Sequence, residues 1–400
     1  MAENKFIVVY IDEISKYRFF RRFEPSLNEL DYKLVYVTNR LSIKLYGMIN
    51  RSKVVVITKT NPYSFIIPKT FKMVEFLSQK LTYEETLVLY NATFNKCADL
   101  NKNNEIRFAF IFSGLTVPTQ ALTDFAKQNN ISTKFFELSN IPSKMFVDNC
   151  GTNANASIFF NPDLLDNESS VEEAEYLKWL GKYLQIKENE KLPGQAKKIR
   201  SIYWGYFLDL LGFYLLRIPR EENTSVKKKL LQKLSLRLNK IVYDPDFLPT
   251  DYYFFPLQVT HDSQLLIHSN LSNELGIIEA HQIAVEENFI LLVKIHPAEN
   301  DPWQIKKILE LRRKLKFKLV TGNTFGLVEK AKKIITINST VGLEALILKK
   351  PVLFLGKTYY SHLDCERLKK YLLRYLIELD YFGKDSVEKS IVCQILELKT

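Results

Sequence analysis

Short apolar, β-branched runs alternate along this chain with stretches that permit helix, and few folds accept that alternation. Lys5 to Ile11 (KFIVVYI), Lys33 to Thr38, Lys53 to Ile57, Ile106 to Phe112 and Thr133 to Phe136 form a first group. Tyr252 to Leu257 (YYFFPL), Phe289 to Ile295 (FILLVKI), Phe317 to Val320, Ile334 to Ile337 and Val352 to Leu355 form a second. Strands separated by helices imply parallel sheets covered on both faces, hence an α/β protein. Between the groups, after Asn161-Pro162-Asp163, lies Glu-, Lys- and Leu-rich helical sequence with a break at Pro193-Gly194. We therefore expect an N-terminal α/β domain over 1–165, a helical connector over 166–248 and a C-terminal α/β domain over 249–400. Two such domains create a cleft, and open α/β sheets bind ligands outside the carboxyl ends of their strands.

Composition narrows the partners. With 400 residues, 46% hydrophobic and 13% aromatic, the chain has the apolar surface for two cores, which excludes disorder. Cys97, Cys150, Cys365 and Cys393 are widely spaced and form no CxxC pair, so they read as reduced thiols rather than zinc ligands or disulfides. The apolar run near the N-terminus is too short for a signal peptide, and no uncharged stretch approaches the roughly 18 residues of a membrane span. The expected location is the cytoplasm.

A net charge of +11 admits nucleic acid, an anionic membrane surface or an anionic substrate. No RNA- or DNA-binding motif is present, so a basic binding protein is the weaker alternative to an enzyme. Basic residues concentrate between Gln195 and Lys240, where Trp204, Tyr206, Phe207, Leu210, Leu211 and Phe213 interleave with charge. That segment reads either as a connector packed on a domain or as a peripheral contact with an anionic inner leaflet. Lys227, Lys228, Lys229, Lys233, Arg237 and Lys240 would supply the attraction.

Three constellations in the C-terminal half carry chemistry, and all five histidines lie there. In IITINSTVGLEALILKKPVLFLGKTYY, Asn338, Ser339 and Thr340 stand where a strand ends and a helix begins, a place where backbone N–H groups and hydroxyls hold phosphate. Glu344 lies just over one turn further on, within reach of ribose hydroxyls; the plainer alternative is an ordinary Ser cap followed by a surface Glu. In VKIHP, strand alternation puts Lys294 and His296 on one face before Pro297, suiting phosphate or carboxylate, although a strand-end histidine is often simply a satisfied surface group. In FFPLQVTHDSQLLIHSN, an apolar run breaks into Gln258, His261, Asp262, Ser263 and Gln264. There Asp262 reads as a nucleophile or base, or as the cap of the next helix. Asp244-Pro245-Asp246 spells DxD, but its proline and loop setting read as a turn rather than a metal site.

Taken in this order, FFPLQVTHDSQ, VKIHP and TINSTVGLEALILKKPVLFLGKTYY resemble the capsule polysaccharide biosynthesis family of bacterial β-Kdo transferases, which move 3-deoxy-D-manno-octulosonate (Kdo) from CMP-Kdo. Weaker similarity lies in FSGLTVPTQ and FFELSNIPSKMFVDNCGTNANAS. The resemblance implies a GT-B-like architecture of two Rossmann-like domains, with CMP-sugar held by the C-terminal one and acceptor by the N-terminal one. It implies that His296-Pro297 and Ser339-Thr340 contact the CMP phosphate and that Glu344 contacts the nucleotide. In retaining members the Asp at the Gln-rich strand end is the proposed nucleophile, here Asp262, with Glu137 as candidate acid/base. The His-Pro and Ser motifs also occur in bacterial sialyltransferases, so an inverting enzyme using another CMP-nonulosonate, with Asp262 as base, is the enzymatic alternative. Where members that initiate on a phospholipid carry a glycine-rich N-terminal segment, this chain has YIDEISKYRFFRRFEP, which leaves capsule, O-antigen and lipid-linker acceptors open.

A CMP-activated ulosonic acid bears one carboxylate beside the anomeric carbon and one phosphodiester leaving group. Lys294, His296 and the helix start at Ser339-Thr340 would neutralise both anions, so neither a divalent metal nor a cofactor is expected.

Overall fold

The computed structural model describes residues 5–59, 66–189, 203–222, 241–244 and 251–398. They fall into two compact units, one of Met1–Leu164, Lys198–Asn223 and Tyr371–Thr400, the other of Leu165–Lys197 and Thr224–Lys370.

The first unit is built on β1 (Lys5–Tyr10), β2 (Tyr32–Thr38), β3 (Val54–Val56), β4 (Glu105–Phe112), β5 (Ser132–Leu138) and β6 (Lys144–Asp148). Strand β1 lies centrally, parallel to β2 and β4. Its side chains alternate between two cores: Ile7 and Val9 join Phe20 and Phe23 on one face, while Val8 and Tyr10 join Leu89, Ala121 and Phe125 on the other. That burial on both faces is why the strand reads as an unbroken apolar run. The second face is covered by helices Tyr83–Asn103 and Val117–Gln128, whose starts are fixed by reciprocal caps at Thr82/Glu85 and Thr116/Thr119.

The second unit contains β7 (Tyr252–Pro256), β8 (Ile290–Lys294), β9 (Lys318–Leu319), β10 (Lys333–Thr336) and β11 (Val352–Phe354), all parallel, in the spatial order β11-β10-β7-β8-β9. Again the central strand feeds two cores, Tyr253 and Phe255 packing with Ile277 and Ala280, Tyr252 and Phe254 with Val328 and Ala345. Helix Thr340–Ile347 lies so close on this sheet that a Cβ at Gly342 would overlap the Phe354 ring.

A final strand, β12 (Ile377–Glu378), pairs antiparallel with β6, completing a first sheet ordered β12-β6-β5-β4-β1-β2-β3. In both units the five parallel strands follow the doubly wound Rossmann order, as expected. Three details differ from the sequence reading. The first sheet is mixed, because β5-β6 and β6-β12 are antiparallel. Residues 371–400, expected in the C-terminal domain, belong to the first unit, where Val392, Ile395 and Leu396 enter the Phe20/Phe23 core. The connector is divided, 165–197 going with the second unit and 198–223 with the first.

Helix Tyr203–Leu216 of that connector packs on helix Leu41–Ile49, with the Ser42 N–H donating to Asp209 at 2.9 Å, yet leaves Tyr206, Phe207, Tyr214 and Leu215 more than half exposed. The basic run from Lys227 to Lys240 lies outside the described residues. No helix among the described residues is long and apolar enough to cross a membrane.

Candidate functional site

The second sheet winds outward from β7 in both directions, to β8 and β9 on one side and to β10 and β11 on the other. Between β7 and β10 the connections therefore depart to opposite faces, opening a crevice at the carboxyl ends of these two strands. Just beyond those ends stand Gln258 and Asn338, both buried. Gln258 Nε2 donates to Asn338 Oδ1 at 3.0 Å, and Asn338 Nδ2 donates to the Gln264 carbonyl at 2.8 Å. Asn273, also buried, receives the Gln258 N–H at 3.3 Å and donates to the Gln258 carbonyl at 2.7 Å. A paired amide network of this kind fixes the crevice floor, because breaking one member leaves buried polar groups unsatisfied.

Above that floor, the loop after β7 carries Asp262, the N-cap of helix Ser263–His268, which accepts the Gln264 N–H at 2.8 Å. Burial raises its carboxyl pKa, opposed by the Gln264 N–H, the positive charge of His296 and the Gln258 side chain. Asp262 is thus a helix cap and also a carboxyl group facing His296. The histidine's Nδ1 accepts the Ala298 N–H at 3.1 Å, so in the neutral ring the proton sits on Nε2. The residue is exposed, but partial desolvation of its ring, aided by Lys294, lowers its pKa against the pull of Asp262 and Glu299, which favours that neutral, Nε2–H-donating form. Pro297 follows in an exposed loop held by Glu299, which accepts from Thr260 N at 2.8 Å and Thr260 Oγ1 at 2.6 Å.

At the end of β8, Lys294 Nζ donates to Gly322 O and Thr324 Oγ1, each at 2.6 Å. Burial lowers its pKa while the Glu344 charge raises it. Glu344 is itself buried, and Lys187 Nζ lies 2.8 Å from its Oε1, so this carboxylate sits within the field of two lysines. Ser339 caps helix Thr340–Ile347 by accepting the Val341 N–H at 3.2 Å. A hydroxyl that accepts one bond can still donate its own proton, so capping and anion binding are compatible there.

The structure therefore gathers Gln258, Asp262, Gln264, Lys294, His296, Pro297, Asn338, Ser339, Thr340 and Glu344 along the carboxyl edge of one sheet. Glu344 differs from the sequence alternative of a surface residue, being buried and ion-paired. Glu137 belongs to the first unit, half-buried near the end of β5 in register with Phe146. Two contributors were not foreseen. Glu299 lies three residues after His296 in the same loop, a local signal that could have found it. Lys187 comes from helix Glu173–Asn189, where nothing local marks a long-range partner. Asp244 of the DxD run pairs with Arg312 at 2.8 Å and accepts the Leu319 N–H at 2.7 Å, a structural use of that carboxylate; Pro245 and Asp246 lie outside the described residues.

Fold and site define a doubly wound α/β protein with a polar crevice at the switch point of its second sheet. The capsule polysaccharide biosynthesis protein family matches residues 221–363, which include every residue of the crevice cluster except Lys187. Through this segment, about a third of its length, the chain is similar to the capsule polysaccharide biosynthesis family. Among curated proteins, it is similar to Protein FixF of Sinorhizobium fredii (32% identity over 134 residues, 32% of this chain and 32% of FixF). It is also similar to the capsule polysaccharide modification protein LipB of Neisseria meningitidis serogroup A (29% identity over 121 residues, 28% of this chain and 29% of LipB). The matches thus span about a third of the length of these relatives. Similar solved structures include the β-Kdo 2,7 transferase of Thermosulfurimonas dismutans KpsC, with TM-score 0.46 and 12% identity over 98% of this chain and 97% of that one. The β-Kdo 2,4 transferase of the same KpsC gives TM-score 0.45 and 15% identity, covering 97% of each chain.

Proposed function

We propose that this chain is a glycosyltransferase that moves Kdo from CMP-Kdo to a capsule, O-antigen or lipid-linker acceptor on the cytoplasmic side of the membrane. The observation carrying this reading is the joining of Asp262, Lys294, His296 and Ser339 at the switch-point crevice of the family-matched segment. Lys294, the His296 Nε2–H and the helix start at Ser339-Thr340 hold the phosphate, while Pro297 shapes the loop. Glu344 accepts from ribose hydroxyls, and Gln258, Gln264 and Asn338 form the floor. Three such donors neutralise a single phosphodiester without a divalent metal or other cofactor.

In the retaining mechanism the Asp262 carboxylate attacks the anomeric carbon as the bond to CMP breaks, and CMP leaves with that electron pair. The acceptor hydroxyl then displaces the carboxylate as a base takes its proton, the role that the resemblance gives to Glu137. One observation favours a second reading: burial raises the Asp262 pKa, which suits a general base in a single inverting displacement, as in a sialyltransferase-like enzyme. Incubating the protein with CMP-Kdo and with CMP-sialic acid distinguishes the donors by CMP release, and NMR of the product anomer distinguishes the mechanisms. Faster release from CMP-sialic acid would overturn the Kdo assignment.

The exposed Tyr206, Phe207, Tyr214 and Leu215 support a peripheral contact with an anionic inner leaflet. Sedimentation with phosphatidylglycerol vesicles at low salt tests it; no co-sedimentation would leave only the packing role against helix Leu41–Ile49.

A further inference from the structure

The first unit contains a second cavity, of about 680 Å³, that the proposed transfer reaction does not use. Its walls are helices Ile14–Arg21, Glu24–Glu29 and Leu41–Ile49 together with residues 381–386 of the returning C-terminal segment. The YRFFRR sequence explains its character. Tyr17, Phe19, Phe20 and Phe23 turn into the core, so Arg18 and Arg21 are left on the outer face. The C-terminal segment closes the far wall and is firmly attached. Arg22 Nε donates to the Asp385 carbonyl at 2.6 Å, Arg22 Nη1 to the Asp380 carbonyl at 2.5 Å, and Ser26 Oγ to the Val387 carbonyl at 2.6 Å. Gly383 packs closely at this seam, where a Cβ would stand 2.8 Å from Arg22 Nη2 and the guanidinium would have to shift.

Lining the cavity are the cations Arg18, Arg21 and Lys384 and the rings of Tyr46, Tyr381 and Phe382. Arg18 Nε donates to the Tyr46 hydroxyl at 3.2 Å and Arg21 Nη1 to Asn50 Oδ1 at 2.8 Å, which orients both guanidiniums without neutralising them. Among the described residues the wall carries one carboxylate, Glu24, which accepts from Tyr36 at 2.7 Å and Ser52 at 3.0 Å and so is turned toward the core. A guanidinium presents paired donors to a carboxylate, and an aromatic face accepts the C–H face of a sugar ring. The volume lies within the range of small-ligand pockets and gives no long basic track for a nucleic-acid backbone.

We infer that this cavity binds an anionic saccharide through Arg18, Arg21 and Lys384, with Tyr46, Tyr381 and Phe382 as its ring platform. Resting on the glycosyltransferase reading, it serves as a holding site for the carboxylate-bearing acceptor or product chain, separate from the donor crevice of the second unit.

Calorimetric titration with a sialic acid tetramer, maltotetraose and a single-stranded DNA dodecamer tests this on the whole protein and on an Arg21→Gln/Lys384→Gln variant. Both substituted residues are exposed, so the variant should fold, and an unchanged melting temperature verifies it. The expected result is binding of the acidic tetramer that weakens about tenfold or more in the variant and with added salt, and no binding of maltotetraose. Equal affinity of variant and wild type for the acidic tetramer, or DNA bound as tightly as the tetramer, would overturn the inference. CMP titrated alongside separates this result from the donor-site reading, because the variant leaves every crevice residue intact.

Discussion

Gln258 and Asn338 meet through a 3.0 Å hydrogen bond across the point where the second sheet reverses its winding. Both are buried, so the bond ties together two loops that diverge to opposite faces. Asn338→Leu strands the Gln258 amide and should cost about 1–3 kcal/mol, while the double Gln258→Leu/Asn338→Leu variant should cost less than the sum of the single changes. Urea unfolding monitored across the cycle checks this; strict additivity would show that the two amides do not depend on each other.

Asp262→Asn separates the cap from the chemistry. Asparagine caps a helix about as well as aspartate, so the melting temperature should hardly change, whereas a neutral amide can neither attack an anomeric carbon nor take a proton. Transfer should fall by three or more orders of magnitude, roughly, with CMP binding retained. Near wild-type transfer would reduce Asp262 to the cap it forms with Gln264.

Much of this architecture could be read from the residues in order. The β7 run, YYFFP, is apolar throughout because alternate side chains enter separate cores, and Lys294 and His296 share a face because side chains alternate along an extended strand. Local patterning does not give the strand order, which follows only from the Rossmann-like architecture that the resemblance implies, since the adjacency of β7 and β10 depends on pairings such as Lys333 with Tyr253. The return of the C-terminus to the first unit escaped notice for a similar reason: β12 is two residues long, and the apolar face of helix Lys389–Leu396 suits either core equally. Lys187 was invisible because a lysine on a connector helix looks solvated until its partner Glu344 is known.

The Lys187–Glu344 pair has little exposure, 11% and 9% for the two side chains, and should matter more than a surface ion pair. Lys187→Met removes one of the two positive charges near a buried carboxylate and should destabilise the protein by about 2 kcal/mol, with partial recovery on adding Glu344→Gln. Thermal melts of the two single variants and the double variant measure this, and a neutral Lys187→Met would show that Glu344 is satisfied without Lys187.

Glu75 gives the first unit a pH dependence of known sign. Burial, assisted by the charge of Glu221, pushes its carboxyl pKa up to about 8, and it accepts the Val117 N–H at 3.0 Å. An unfolded glutamate ionises near 4.3, so above that pH the unfolded state gains from ionisation while the native state stays protonated. Its contribution is therefore most favourable below about pH 4, declines as pH rises, and levels off above about pH 8, a loss of roughly 3.6 kcal/mol by pH 7. Glu75→Gln preserves an acceptor for Val117 and should stabilise the protein more at pH 8 than at pH 5. Equal effects at both values would contradict the shifted ionisation.

Calorimetric titration of CMP in EDTA, on the wild-type protein and on a His296→Ala/Ser339→Ala variant, tests most directly whether the switch-point crevice is a CMP site. The account predicts metal-independent binding in the wild type, weakened about tenfold or more in the variant through loss of the imidazole and hydroxyl donors. An absence of binding in the wild type, or undiminished affinity in the variant, would contradict it.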